Sequence, residues 1–125
     1  MNIIDSSLWL EYFADTESGS IISEIIENTN ELLVPTITVY EVFKKLLYER
    51  NEDDALFAIA HMRQGKIIGL NDELSIFAAR IGKDYKLPMA DSIIYATNVK
   101  FNCILWTQDR HFMNLDSVRY FEKQK

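Results

Sequence analysis

The segment that decides the fold class is NIIDSSLWLEYF, residues 2–13, which joins a strand signal directly to a helix signal. Its apolar run Ile3-Ile4 stops at Asp5, as is typical of a short buried strand. Ser6 or Ser7 can then cap a helix, because a serine hydroxyl accepts from the unpaired N–H groups of a helix start. We therefore expect a strand that turns at once into a helix.

The same alternation continues along the chain. Short apolar runs at residues 32–35, 67–68, 103–106 and 117–121 predict four further strands. Strands that are apolar throughout and separated by helices indicate a parallel sheet covered on both faces. The expected fold is an α/β sandwich on a mostly parallel sheet of about five strands, with the strand order left open. Helices are predicted at residues 6–13, 16–26, 36–50, 55–63, 71–81 and 89–99, with a short helical turn at 110–113.

Length and composition set the class of protein. A chain of 125 residues, 48% of them hydrophobic, fits a single domain over residues 1–125 that buries its own core. The single cysteine, Cys103, excludes an intramolecular disulfide and a Cys-rich zinc site. No apolar run approaches the ~18 residues of a membrane span, and the start lacks the pattern of a signal peptide. We expect a cytoplasmic protein without a membrane segment.

The charged residues are unevenly distributed along the chain. The chain carries 19 acidic and 13 basic residues, a net charge of −6, which argues against a basic nucleic-acid-binding surface. Residues 1–43 contain eight acids and no Lys or Arg, and Lys44 is the first basic residue. The acidic stretch is either a solvated face or the source of some carboxylates that share a site.

Four acids fall beside predicted strand ends. Asp5 ends the first strand, Asp109 follows the fourth, and Glu41 and Asp91 lie near the starts of two helices. Since ligands bind at the carboxyl ends of parallel strands, these side chains can meet at one edge of the sheet. Four carboxylates in one pocket repel each other unless a hard cation such as Mg²⁺ or Mn²⁺ lies among them.

Each acid also has a simpler interpretation. Asp5, Asp91 and Asp109 can be helix caps, and Glu41 can belong to a solvated stripe of its helix. Other reactive residues are weaker candidates. We expect His61 and His111 to be structural, although His111 can touch a substrate, and we expect Cys103 to lie in the hydrophobic core. The sequence contains no phosphate-binding glycine loop and no serine-nucleophile elbow.

The chain resembles the PIN-domain family, most closely the small VapC-type ribonuclease toxins of toxin–antitoxin pairs. The resemblance covers essentially the whole chain. It rests on four segments: IIDSS (3–7), VYEV (39–42), LPMADSIIYAT (87–97) and LWTQDRHF (105–112). The second pair of segments is the more specific, and each of the four family acids has a counterpart here, Asp109 being the most variable position. The resemblance implies a three-layer α/β/α sandwich that is usually a homodimer.

The resemblance also implies an activity, metal-dependent hydrolysis of RNA phosphodiester bonds. Asp5, Glu41, Asp91 and Asp109 would hold Mg²⁺ or Mn²⁺ directly or through water. Ser6 and Thr107 would orient those carboxylates, as groups around a metal site do. A cognate antitoxin would cover the pocket. The alternatives are a PIN-like nuclease that processes RNA or cuts DNA, and a non-catalytic module that binds a metal or a partner.

Three basic residues near these acids are candidates for phosphate contacts at the rim of the pocket. Lys44 and Lys45 follow Glu41 by three and four positions and so lie on or beside its helical face, and Arg110 follows Asp109 directly. Ordinary solvated surface residues explain all three equally well.

Overall fold

The computed structural model describes residues 1–123 and contains the predicted alternation of strands and helices. The strands are β1 (Asn2–Ile4), β2 (Leu32–Pro35), β3 (Lys66–Ile68), β4 (Ile104–Thr107) and β5 (Val118–Tyr120). The helices are α1 (Ser6–Phe13), α2 (Glu17–Glu27), α3 (Thr36–Glu49), α4 (Glu52–Met62), α5 (Asp72–Tyr85) and α6 (Met89–Lys100). Single 3-10 turns lie at Thr29–Glu31 and Arg110–Phe112.

The five strands form one sheet in the order β3-β2-β1-β4-β5, and every neighbouring pair is parallel. The expected parallel sheet is therefore confirmed. The chain builds outward from β1 through β2 to β3, then returns to add β4 on the other side of β1. This reversal makes the β1–β4 boundary the place where parallel α/β sheets leave a crevice at their carboxyl edge.

Alternate side chains along the strands pack into two apolar layers, one on each face of the sheet. Ile4 and Val34 pack with residues of α1 to α4 on one face, whereas Ile3 and Leu33 pack with residues of α5 and α6 on the other. Successive strand residues point to opposite faces, so an uninterrupted apolar run supplies both layers. The three-layer α/β/α arrangement is confirmed. Within residues 1–123, no helix is both long and apolar enough to cross a membrane.

Three local expectations differ from the structure. Asp5, not Ser6 or Ser7, caps α1, since its extended backbone directs Oδ1 to the Ser6 N–H at 2.8 Å. Helix α4 begins at Glu52, earlier than predicted, because Asn51 caps it through the Asp54 N–H. That helix ends at Met62, one residue before the predicted end, and a Cβ at the following Gly65 would lie 3.0 Å from atoms of Leu32 and Val34 on β2.

Candidate active site

Asp5 lies at the carboxyl end of β1, in the centre of the sheet, with only 4% of its surface exposed. Its Oδ2 accepts hydrogen bonds from Thr107 Oγ1 at 2.8 Å and Ser7 Oγ at 3.1 Å. Its backbone N–H donates to the Trp106 carbonyl on β4 at 3.0 Å. The carboxylate is thus fixed between the end of β1, the start of α1 and the end of β4.

Burial raises the pKa of Asp5 to about 7, because a charged carboxylate loses its hydration inside the protein. Hydrogen bonds from Thr107 and Ser7 oppose the shift, while the charges of Asp91 and Asp109 add to it. A cation next to this group would favour its ionised form.

Glu41 reaches the same edge from the second turn of α3, which begins directly after β2 ends at Pro35. Its Oε1 accepts a hydrogen bond of 2.7 Å from Ser6 Oγ on α1. Ser6 is itself buried. This bond ties the two helices that follow neighbouring strands and holds the Glu41 carboxylate toward Asp5.

Asp91 and Asp109 reach the same cleft as Asp5 from α6 and from the segment after β4. Asp91 lies in the first turn of α6, and Asp109 follows β4, where its N–H donates to Thr107 Oγ1 at 2.9 Å. His111 joins them: its Nδ1 is 2.9 Å from Asp91 Oδ2 and 3.1 Å from Asp109 Oδ1. One ligand atom from each of these three residues lies within 4.8 Å of the other two.

The pKa values of Asp91 and His111 are both raised in this arrangement. Burial, then the charge of Asp109, raises the pKa of Asp91 to about 6, while the hydrogen bond to His111 opposes the rise. The His111 pKa is raised in turn, first by the charge of Asp109 and then by the hydrogen bond to Asp91. The rise at Asp91 therefore comes first from lost hydration and then from a neighbouring carboxylate, whereas the rise at His111 comes from the two carboxylates beside it.

The four predicted acids line one cleft of about 300 Å³ at the carboxyl edge of the sheet. Oxygen ligands of this kind suit Mg²⁺ and Mn²⁺, and the negative charge has no buried cation beside it within residues 1–123. The donor set therefore fits a hard divalent cation. The cleft is lined by Asp5, Ser6, Ser7, Leu10, Glu41, Lys45, Asp91 and Asp109.

The predicted rim residues occupy different places. Lys45 lines the cleft and also pairs with Glu49 at 3.1 Å. Lys44 lies outside it, with Nζ 5.7 Å from the centre of the Tyr40 ring. Arg110 is turned toward Glu122, with 3.9 Å between the charged groups.

Sequence reasoning gave too little weight to Ser7 and His111. Ser7 donates to Asp5, and His111 bonds both Asp91 and Asp109. The signal for His111 was its position two residues after Asp109, in a segment where the Asp109 carboxylate also caps the short helical turn through the His111 N–H. Its contact with Asp91, twenty positions away, has no local signal.

A family model described as the PIN domain matches residues 3–118. The chain therefore belongs to the PIN-domain family, as the resemblance of its motifs implied. No curated protein sequence matches the chain.

Solved structures share the fold at low sequence identity. A toxin–antitoxin complex from Klebsiella pneumoniae matches with a TM-score of 0.82 and 19% identity, over 98% of this chain and 100% of that one. DNA-bound VapBC from Salmonella typhimurium matches with a TM-score of 0.75 and 13% identity, over 97% and 96%. VapC20 from Mycobacterium tuberculosis, a sarcin–ricin loop cleaving toxin, matches with a TM-score of 0.68 and 12% identity, over 82% and 85%.

Proposed function

We propose that this PIN domain is a Mg²⁺- or Mn²⁺-dependent endoribonuclease and the toxin of a type II toxin–antitoxin pair. The observation that carries the proposal is the convergence of Asp5, Glu41, Asp91 and Asp109 from four separate segments on one cleft. The raised pKa values of Asp5 and Asp91 support it, since carboxylates whose pKa is raised by burial and by neighbouring charges are found at functional sites.

In this proposal the four carboxylates hold the cation, directly or through water. A divalent cation held there would supply a water molecule of lowered pKa and would offset the charge of a phosphodiester. Thr107 fixes the Asp5 carboxylate, and Ser6 fixes that of Glu41. Such outer contacts keep ligands in one orientation and thereby sustain both affinity and rate.

His111 and Lys45 would act on different groups. His111 Nδ1 keeps the Asp91 and Asp109 carboxylates together. Lys45 lies where a phosphate entering the cleft would meet an ammonium group, which attracts RNA to an otherwise negative surface. Lys44 and Arg110 are proposed as weaker, outer contacts, because their charged groups lie against Tyr40 and Glu122.

The toxin role is supported by the structures of the same fold. One is described as a toxin–antitoxin complex, one as VapBC, and one as a toxin that cleaves the sarcin–ricin loop. We extend to this chain an RNA substrate, a cognate antitoxin, a homodimeric state and action in the cytoplasm. The exposed aromatic side chains of Tyr48 on α3 and Phe57 on α4 offer apolar area for a protein partner.

The activity is tested with purified protein, single-stranded RNA and the matching DNA, in Mn²⁺, in Mg²⁺ and in EDTA. We expect cleavage of RNA only with a divalent cation, and loss of cleavage in Asp91→Asn. Cleavage that persists equally in EDTA or in that variant contradicts the proposal. Cleavage of DNA but not RNA favours a DNA nuclease, and Mn²⁺ binding without any cleavage favours a non-catalytic module.

The toxin assignment has its own test. Co-expression with a small protein encoded beside this gene should give a complex that is inactive on RNA, and release of that partner should restore cleavage. Growth that is unaffected by expression of the active chain alone, compared with Asp91→Asn, contradicts a toxin role while leaving the nuclease assignment intact.

A further inference from the structure

A second hollow of about 490 Å³ opens beside the carboxylate cleft, and we call it the side hollow. The two spaces share Ser7, Leu10, Lys45 and Asp109, so one continues into the other. Its size falls within the range of ~300–1,000 Å³ that is usual for small-ligand sites. The side hollow is lined by Ser7, Leu10, Glu11, Ala14, Thr16, Lys45, Glu49, Gln108, Asp109 and Lys123.

Gln108 enters the side hollow in a fixed orientation. Its Nε2 donates a 2.7 Å hydrogen bond to Ser18 Oγ, and Ser18 is only 1% exposed. The amide oxygen, Oε1, accepts no hydrogen bond from residues 1–123. Because a side-chain amide presents donors at one end and an acceptor at the other, Gln108 offers an acceptor to whatever occupies the hollow.

Glu11 supplies a second acceptor on the same side. Its side chain is 17% exposed, and one oxygen accepts from Thr16 Oγ1 at 2.5 Å. The other oxygen lies 3.9 Å from Lys123 Nζ. A carboxylate has about four acceptor positions, so these contacts orient Glu11 without using all of its capacity.

The remaining lining combines apolar side chains and the Lys45 ammonium with the carboxylates of Glu49 and Asp109. Leu10 of α1 and Ala14, which directly follows that helix, contribute apolar surface, and Lys45 lines both the side hollow and the carboxylate cleft. Proteins that read RNA sequence do so mostly on unpaired bases turned out of the stack, through hydrogen bonds to base edges.

We propose that the side hollow binds the base of the nucleotide next to the cleaved phosphodiester, and that Gln108 and Glu11 select bases with an exocyclic amino group. This inference rests on the proposed nuclease function. Adenine, cytosine and guanine carry such a donor, whereas uracil does not. An exocyclic amino group has two N–H donors and can serve both acceptors. Uracil offers only its ring N3–H, so one of the two acceptors would stay unpaired, and unpaired buried polar groups are costly. Lys45 would hold the phosphate that links this nucleotide to the cleft.

The experiment uses a library of short single-stranded RNAs with randomised sequence, cleaved by the full chain in Mn²⁺, with the new ends sequenced. At one position beside the cut, we expect uracil to be depleted about 5- to 100-fold, the range that one specific base contact provides. Gln108→Leu and Glu11→Gln should each weaken that depletion while cleavage of the whole library continues. Thermal melting confirms that each variant is folded.

Matched substitutions away from the hollow serve as controls. Gln64→Leu and Glu24→Gln alter the same residue types at exposed positions and should leave the base preference unchanged. Three outcomes overturn the proposal that the side hollow selects a base, without affecting the proposed nuclease function. They are equal cleavage at all four bases, a preference for uracil, and a preference that neither Gln108→Leu nor Glu11→Gln alters. No cleavage of any RNA in the library overturns the proposed nuclease and this inference together.

Discussion

Two groups of acidic residues in this chain are alike in chemistry and opposite in surroundings. Residues 52–54 are three consecutive acids in the first turn of α4, all exposed, behind the cap provided by Asn51. There the helix dipole and water stabilise negative charge. The carboxylates of Asp5, Glu41, Asp91 and Asp109 come from distant segments and face one cleft. The dense run of acids thus forms no cleft, whereas four acids that are far apart in the sequence come together in one.

Neutralising one acid from each group tests whether only the carboxylates of the cleft matter for activity. Asp5→Asn should lower RNA cleavage by more than about 100-fold, because loss of an outer partner of a metal ligand alone costs about 10- to 100-fold. Asp53→Asn should leave cleavage unchanged. The measurement is the initial rate of cleavage of one RNA in Mn²⁺. An equal loss of rate in both variants would show that the net charge, and not the cleft, controls activity.

The next effect concerns Thr107, whose hydroxyl donates to Asp5 and accepts from the Asp109 N–H. Thr107→Val keeps the shape and removes both bonds, so cleavage should fall about 10- to 100-fold. Thr107→Ser should retain most of the rate. Thr97→Val is the control, since that buried hydroxyl only bonds the Ile93 carbonyl within α6. A normal rate in Thr107→Val would contradict an orienting role.

A smaller effect should appear in the stability of the metal-free protein. The folded-state pKa values of Asp5 and Asp91, about 7 and about 6, lie above the ordinary aspartate value of 3.8. The folded protein therefore holds protons that the unfolded chain has released, and its stability falls as pH rises from about 4 to about 7. One proton of difference is worth about 1.4 kcal/mol per pH unit, or a few degrees in Tm.

Melting curves in EDTA between pH 4.5 and 7.5 measure this slope. Asp5→Asn should flatten it, while Asp53→Asn should keep it. Mn²⁺ should raise Tm of the unmodified protein most at the upper end of the range, because ligand carboxylates must be ionised to bind the cation. A slope that is the same in all three proteins would mean that Asp5 does not carry the raised pKa.

The smallest expected effect separates the two adjacent lysines. Lys45 lines the cleft, whereas the ammonium of Lys44 lies over Tyr40. Lys45→Ala should lower cleavage several-fold and reduce the salt dependence of RNA binding by about one phosphate contact. Lys44→Ala should change both less. Identical behaviour of the two variants, measured across a salt series, would refute the distinction.

Much of the fold was predictable because its signals are local. The apolar runs at Ile3-Ile4 and residues 32–35 mark two strands in the structure. The helices predicted to begin at residues 16 and 71 begin one residue later, with Thr16 and Asn71 as their caps. The cap of α1 was misassigned because Asp5, Ser6 and Ser7 are all good caps. Only the backbone path out of β1 selects Asp5.

The candidate site was predictable to the extent that strand ends are readable. Asp5 and Asp109 could be placed at one edge once the sheet was taken as parallel, and both line the cleft. The direction of Lys44 and the contact of His111 with Asp91 could not be foreseen, because they depend on how α3, α6 and the segment after β4 pack against each other.

The sequence alone indicates the short apolar strands and the helices between them, with Asp5 and Asp109 after strands and Glu41 and Asp91 in early helix turns. It does so because hydrogen-bond periodicity and side-chain polarity act locally. Only the tertiary structure decided the strand order and brought β4 beside β1. That pairing sets Thr107 against Asp5 and carries Asp109 to the same cleft. Contacts across about 100 positions follow from burying both faces of one sheet at once, a condition that no local segment encodes.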